Sequence, residues 1–203
     1  MQEFDPWGKV RAGGTVGTQT RIDTSKESQG AERESDSIQY KVKSEVRKGD
    51  YKVIVDDDDI GEAANVVAVR VEEKAMVVEL YHCKYSHGIA LGHRVEDPYE
   101  VCGQAQRSVH WVEKPIELFR HLLRRDENRV KQGKPSRIEV GTSTDLLNII
   151  EGARLMPVQF AIYIVQPGLS KEDASTSQLE LLSVTENYLG ETYQIPLAVI
   201  ASK

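Results

Sequence analysis

The sequence predicts an α/β domain with a mixed central sheet flanked by helices, and three observations carry that expectation. Three short runs rich in β-branched residues follow one another with turn chemistry between them, at residues 51–55, 65–71 and 76–85. Two later apolar runs, 158–165 and 197–201, alternate with helical patterns, and strands separated by helices pair in parallel. The chain has 203 residues, 39% hydrophobic and 29% charged, which suffices for one core without staples.

The elements follow in order. Residues 1–33 are rich in Gly, Thr, Ser and Gln without a sustained period, which predicts a flexible arm or linker before a domain at 34–203. Asp36 is the expected N-cap of a first helix, because Ile38, Val42 and Val46 recur every four residues and Gly49 stops the pattern. The three β-branched runs come next, broken by the acidic residues 56–59 with Gly61 and then by Glu72-Glu73-Lys74. Tight breaks predict an antiparallel meander. Asp97 as N-cap, Pro98 at the first helical position and Glu100 closing a capping box predict a second helix with Val101, Ala105, Val109 and Val112 on one face. Pro115 restarts a helix striped by Ile116, Phe119, Leu122 and Leu123. A short strand at 137–140, a helix at 145–155 and the strongly apolar strand at 158–165 follow, the last expected to end at Gln166-Pro167-Gly168. Ser175 and Gln178 form a second capping-box pair ahead of Leu179, Leu182 and Leu189, and the run at 197–201 closes the sheet.

Composition narrows the function classes. The two cysteines, Cys83 and Cys102, lack any CxxC or Cys/His ligand spacing, so reduced thiols in a cytoplasmic protein are expected. No apolar run reaches the length of a membrane helix and no secretory leader opens the chain, so no membrane partner is expected. A net charge of −6 excludes a surface that is basic throughout, so nucleic-acid contact must be local. One basic patch qualifies: Arg120, Arg124, Arg125, Arg129, Lys131, Lys134 and Arg137 share a stretch whose acids are Asp126 and Glu127. Taken alone, the patch reads equally as a solvated helix end. Neither GxxxxGK[ST] nor GxGxxG occurs, so a nucleotide-driven motor would have to lie in another subunit or module. Self-association into a homo-oligomer is left open.

Chemistry concentrates between residues 56 and 84. Strand alternation sets His82 and Lys84 on one face and Glu79, Tyr81 and Cys83 on the other. If the second and third strands pair as a hairpin, Asn65 at the start of one meets Lys84 at the end of the other, with Glu62 and Asp58 in the adjoining turn. Metal-assisted phosphodiester hydrolysis needs oxygen ligands for a hard cation and a positive group beside the phosphate, and these residues offer both.

The order helix, strand, acidic turn, strand, strand carrying xK, helix resembles the core of the PD-(D/E)xK, or restriction-endonuclease-like, nuclease superfamily. The segments DDDDIGEAAN, VELYHCKYS, DPYEVCGQAQRSV and FAIYIVQPGLSK look more closely like the nuclease-type domain at the C-terminal end of bacterial defence-associated DEAD/DEAH-box helicases. The resemblance spans roughly residues 34–203. It implies a restriction-endonuclease-like fold, Mg²⁺- or Mn²⁺-dependent cleavage of DNA in phage defence or restriction, and a helicase module or subunit as partner. By the same resemblance, Asn65 stands where the pattern GExAD has a metal-binding aspartate, His82 where (D/E)xK has its acid, and Lys84 is the motif lysine. Catalysis is then expected from Asn65, His82, Lys84 and Glu62. Metal ligation is expected from Asn65, Glu62, Asp58 and His82. Substrate binding is expected from Gln104, Gln106, Arg124, Arg125 and Arg129. An asparagine keeps the shape of aspartate and loses its charge. The acid has migrated to Glu62 or Asp58, or this copy is inactive, or Asn65 is an inactivating Asp→Asn change. The alternative is a non-catalytic module that holds DNA or docks protein within a helicase-containing complex.

Overall fold

A computed structural model of the chain describes residues 23, 25–30, 32–85, 95–170 and 174–202. Most of the expected arm, residues 1–22, lies outside them. The order of elements is α1 (Ile38–Val46), β1 (Val53–Asp56), β2 (Val66–Val71), β3 (Met76–Cys83), α2 (Glu96–Arg107), α3 (Val109–Val112), α4 (Pro115–Lys131), β4 (Ile138–Val140), α5 (Ser143–Gly152), β5 (Val158–Ser170), α6 (Thr176–Asn187), a π-helical turn (Tyr188–Thr192) and β6 (Leu197–Ser202). The fold is α/β, with one six-stranded mixed sheet in the order β4-β1-β2-β3-β5-β6.

The expected meander is present: β1 pairs β2 and β2 pairs β3, both antiparallel. After the crossover through the helices, β5 lies parallel to β3 and β6 parallel to β5. β4 departs from the parallel expectation for the second half and runs antiparallel to β1 at the sheet edge. Three half-buried residues carry too little pattern to announce their partner.

Each sheet face has its own core. Val55, Val67, Val78, Leu80 and Ile162 face α2, α4 and α5, where Val101, Ala105, Phe119, Leu122 and Ile149 complete the larger cluster. On the other face α1 packs Ile38, Val42 and Val46 against Ile54, Val66, Ala68, Tyr81 and Cys83. The meander and β5 are therefore buried on both sides, which is why they read as near-continuous apolar runs.

Several boundaries move for local reasons. The N-cap of α1 is Ser37, whose side chain accepts from the Tyr40 N–H, while Asp36 pairs with Lys26 instead. α2 begins at Glu96, with Val95 in helical conformation and no side-chain cap, so Asp97 and Pro98 sit buried inside the first turn. Pro98 is tolerated there because the first N–H groups of a helix have no intrahelical acceptor. β5 continues through Pro167 and Gly168, and its pairing with β6 shifts between Gln166 and Ser170. The bulge absorbs the missing Pro167 N–H. The Ser175–Gln178 capping box of α6 is present, yet Leu179 and Val184 face solvent while Leu189 is fully buried. Among the described residues, no helix is long and apolar enough to cross a membrane.

Candidate functional site

The end of β1, the start of β2 and the ends of β3 and β5 all lie at one end of the sheet, since β1 and β3 run against β2 and β5 runs with β3. The register pairing Val66 with Tyr81 sets Asn65 opposite His82, so both belong to the face of the larger core. Glu79 is on the opposite face, where it accepts from Tyr51 and Tyr81, each at 2.6 Å, and pairs with Arg70.

The acidic run at 56–59 folds into four different environments. Asp56 is buried and accepts from Gln29 Nε2 and Gln39 Nε2, each at 2.7 Å, and from Lys43 Nζ at 2.9 Å, so it anchors α1 and the segment before it. Asp57 is buried and takes Arg125 Nε at 2.6 Å and the Ala63 N–H at 2.8 Å. Burial outweighs Arg125 and pushes its acid up to about 6. Asp58 accepts from Asn65 Nδ2 at 3.0 Å. Asp59 is exposed and held by the Ile60 N–H and Arg137.

Asn65 is buried and satisfied on both sides, because its Oδ1 also accepts from the Cys83 N–H at 2.7 Å. It thereby ties the acidic turn to the β3 backbone just before Lys84. Glu62 lies beside Asp58 and hydrogen-bonds it; burial, and then the Asp58 charge, push the Glu62 acid up to about 7. Two carboxyl groups so close disfavour a second negative charge on Glu62.

Lys84 is buried, with its ammonium 2.9 Å from Glu100 and 3.4 Å from Glu27. Glu100, Gln104 and Ser108 fall four residues apart along α2, one stripe above the end of β3. His82 meets that stripe through Ser108 Oγ at 2.8 Å from its Nε2. Ser108 Oγ also lies 3.3 Å from the Gln104 carbonyl, which can take its proton and leave the hydroxyl oxygen free to accept from His82 Nε2. Nδ1 is buried without a partner among the described residues, as are Gln104 Oε1 and Gln166 Oε1. Because Cys83 pairs with Val165, Gln166 sits beside Lys84 on the neighbouring strand. Burial pushes the His82 imidazole down to about 3, so it is neutral.

The structure thus brings Asn65, Asp58 and Glu62 together, with Lys84, His82 and Gln104 on the adjoining strand end and helix. Gln106 turns away and donates to Thr185 of α6. Of the basic patch, Arg124 is exposed, and Arg125 and Arg137 are committed to the carbonyls and acids of the 57–60 turn. Arg129 donates to the Pro135 carbonyl. Sequence reasoning passed over Glu27 and Gln166. Glu27 sat in a stretch of linker-like composition, and Gln166 in what looked like the turn after a strand.

The donor set does not fit a metal ion as it stands. Among the described residues, no three His, Cys, Asp or Glu side chains are arranged to hold one. Burial and the neighbouring Asp58 charge disfavour ionisation of Glu62, and Asn65 turns an N–H donor, not an anionic oxygen, toward Asp58. Compared with protein-family models, curated proteins and solved structures, the chain matches none.

Proposed function

We propose that this chain is a DNA endonuclease domain of the restriction-endonuclease-like kind, metal-dependent in its active form. It works in the cytoplasm beside a helicase module in phage defence or restriction, and Asn65 silences it. The observation that carries this proposal is that Asn65 holds Asp58 on one side and the β3 backbone just before Lys84 on the other, with Glu62 beside Asp58, where β1 and β3 end and β2 begins. With aspartate at position 65, three carboxylates would cluster at the strand ends, and the buried Lys84 follows the β3 residue whose N–H position 65 binds; these are the residue types that metal-assisted phosphodiester hydrolysis requires. The chain's own contribution is the Lys84 ammonium next to the Tyr85 N–H, which together attract an anionic oxygen at the mouth of the site. The exposed Arg120 and Arg124 on α4 supply positive charge for the DNA backbone.

A second proposal is a silent DNA-holding or docking module. The two-sided hydrogen bonding of Asn65 favours it, because the site is satisfied without a cation. Gel shifts at stepped salt separate the two. DNA holding predicts affinity that falls steeply with salt, and Arg120→Glu with Arg124→Glu lowering both the affinity and the salt slope. No DNA binding even at low salt leaves protein docking.

A further inference from the structure

The segment before α1, expected as part of a loose arm, is built into the domain. The carbonyls of Lys26 and Glu27 accept the N–H groups of Ile38 and Gln39 at 2.9 and 3.0 Å, which satisfies two donors at the start of α1. The Gln29 N–H donates to Gln39 Oε1 at 2.9 Å, and Gln29 Nε2 reaches buried Asp56 at 2.7 Å. Lys26 pins the segment from outside through Glu34 and Asp36.

What this strap delivers is one carboxylate. Glu27 Oε2 lies 3.4 Å from Lys84 Nζ and accepts the Tyr85 N–H at 3.2 Å, so a single anionic oxygen sits between an ammonium and a backbone donor. A non-bridging phosphate oxygen asks for the same two donors. The Glu27 side chain is 22% exposed and Lys84 7%, so the contact closes over the lysine. Asp58 repels Glu27, a second anion already crowding the site.

We propose that Glu27 holds the place of a substrate phosphate on Lys84, so that the strap restrains the site until a DNA phosphate displaces the carboxylate. This rests on the proposal that the domain takes DNA. Glu100 stays 2.9 Å from the same ammonium, but the place between the Lys84 ammonium and the Tyr85 N–H takes either the Glu27 oxygen or a phosphate oxygen, so Glu27 lowers DNA affinity through Lys84 and not through its charge alone.

The test is a double-mutant cycle on the full chain, reading DNA affinity by fluorescence anisotropy for the unmodified protein, Glu27→Gln, Lys84→Ala and the double variant. Glu27→Gln keeps the acceptor for the Tyr85 N–H and the strap's backbone bonds, and thermal melts confirm that all four proteins are folded. Glu27→Gln should bind DNA about tenfold tighter, the scale of one partly buried charge contact, and Lys84→Ala should cancel the gain. An equal gain in the Lys84→Ala background would mean general charge repulsion and overturns the proposal. So does unchanged or weaker binding by Glu27→Gln while the unmodified chain binds, which leaves the DNA proposal standing. Binding by none of the four overturns both.

Discussion

His82 gives the sharpest test of the packing around the site. Its imidazole is fully buried, and its proton affinity is depressed to about 3 from the ordinary 6.5. A depressed value in the folded state means that the contribution is intact above 6.5 and is lost as the pH falls from there toward 3. At pH 5 the unfolded imidazole is protonated and the folded one is not, which costs the fold about 2 kcal/mol relative to pH 7.5. Burial is complete, so solvent does not screen this contribution. Asp57 and Glu62 act in the opposite sense. Their acids are raised to about 6 and about 7, so their contribution is fully present at low pH and lost as the pH rises through those values. The two acids more than offset His82 between pH 5 and 7.5, so the His82 share appears only as a difference between variants. His82→Leu is close in volume and joins Leu80 on the same face, while Ser108 keeps its bond to the Gln104 carbonyl. Urea unfolding at both pH values should show that the variant gains about 2 kcal/mol relative to the unmodified chain on going from pH 7.5 to 5. Identical pH dependence of the two proteins would refute a buried, neutral His82.

Two further outcomes follow from the turn and the sheet edge. Arg125→Ala leaves the Asp57 carboxylate buried with the Ala63 N–H as its remaining close donor, and because Arg125 is itself about one-fifth exposed, the loss is expected at about 2–3 kcal/mol in urea melts. Unchanged stability would show that the acidic turn does not depend on this clamp. Gly141 has φ +82°, and an added Cβ would lie 2.5 Å from the Lys52 carbonyl oxygen, so Gly141→Ala should lower stability by at least about 1–2 kcal/mol. A neutral substitution would show that the connection from β4 to α5 can relax.

What the sequence made legible was strong local pattern. The β-branched runs became β1 to β3, Pro115 opened α4, and the reciprocal Ser175–Gln178 cap opened α6, each fixed within a few residues of chain. The alternation that set Lys84 with His82 and away from Glu79 also holds, because period two follows from strand geometry. Long-range burial was not legible. Residues 56–59 looked like one solvated acidic turn, but Gln29, Gln39 and Lys43 bury the first acid and Arg125 the second, contacts that cross 13 to 68 residues of sequence. The same limit hid Glu27, whose role depends on backbone bonds from α1 and not on its neighbours in sequence. The basic patch misled for a related reason: a run of arginines does not reveal that Arg125 faces inward to the turn while Arg124 faces solvent.

The most direct test of the central proposal is Asn65→Asp, assayed for Mn²⁺ binding by calorimetry and for DNA cleavage with Mg²⁺ or Mn²⁺ present. A negative charge added at position 65 beside Asp58 and Glu62 should raise metal affinity by at least about tenfold. Cleavage that is absent or weak in the unmodified chain should appear with it, and Asn65→Asp combined with Lys84→Ala should bind metal and fail to cut. Brisk metal-dependent cutting by the unmodified chain would contradict the role given to Asn65. An Asn65→Asp protein that gains neither metal affinity nor cleavage would contradict the nuclease proposal itself.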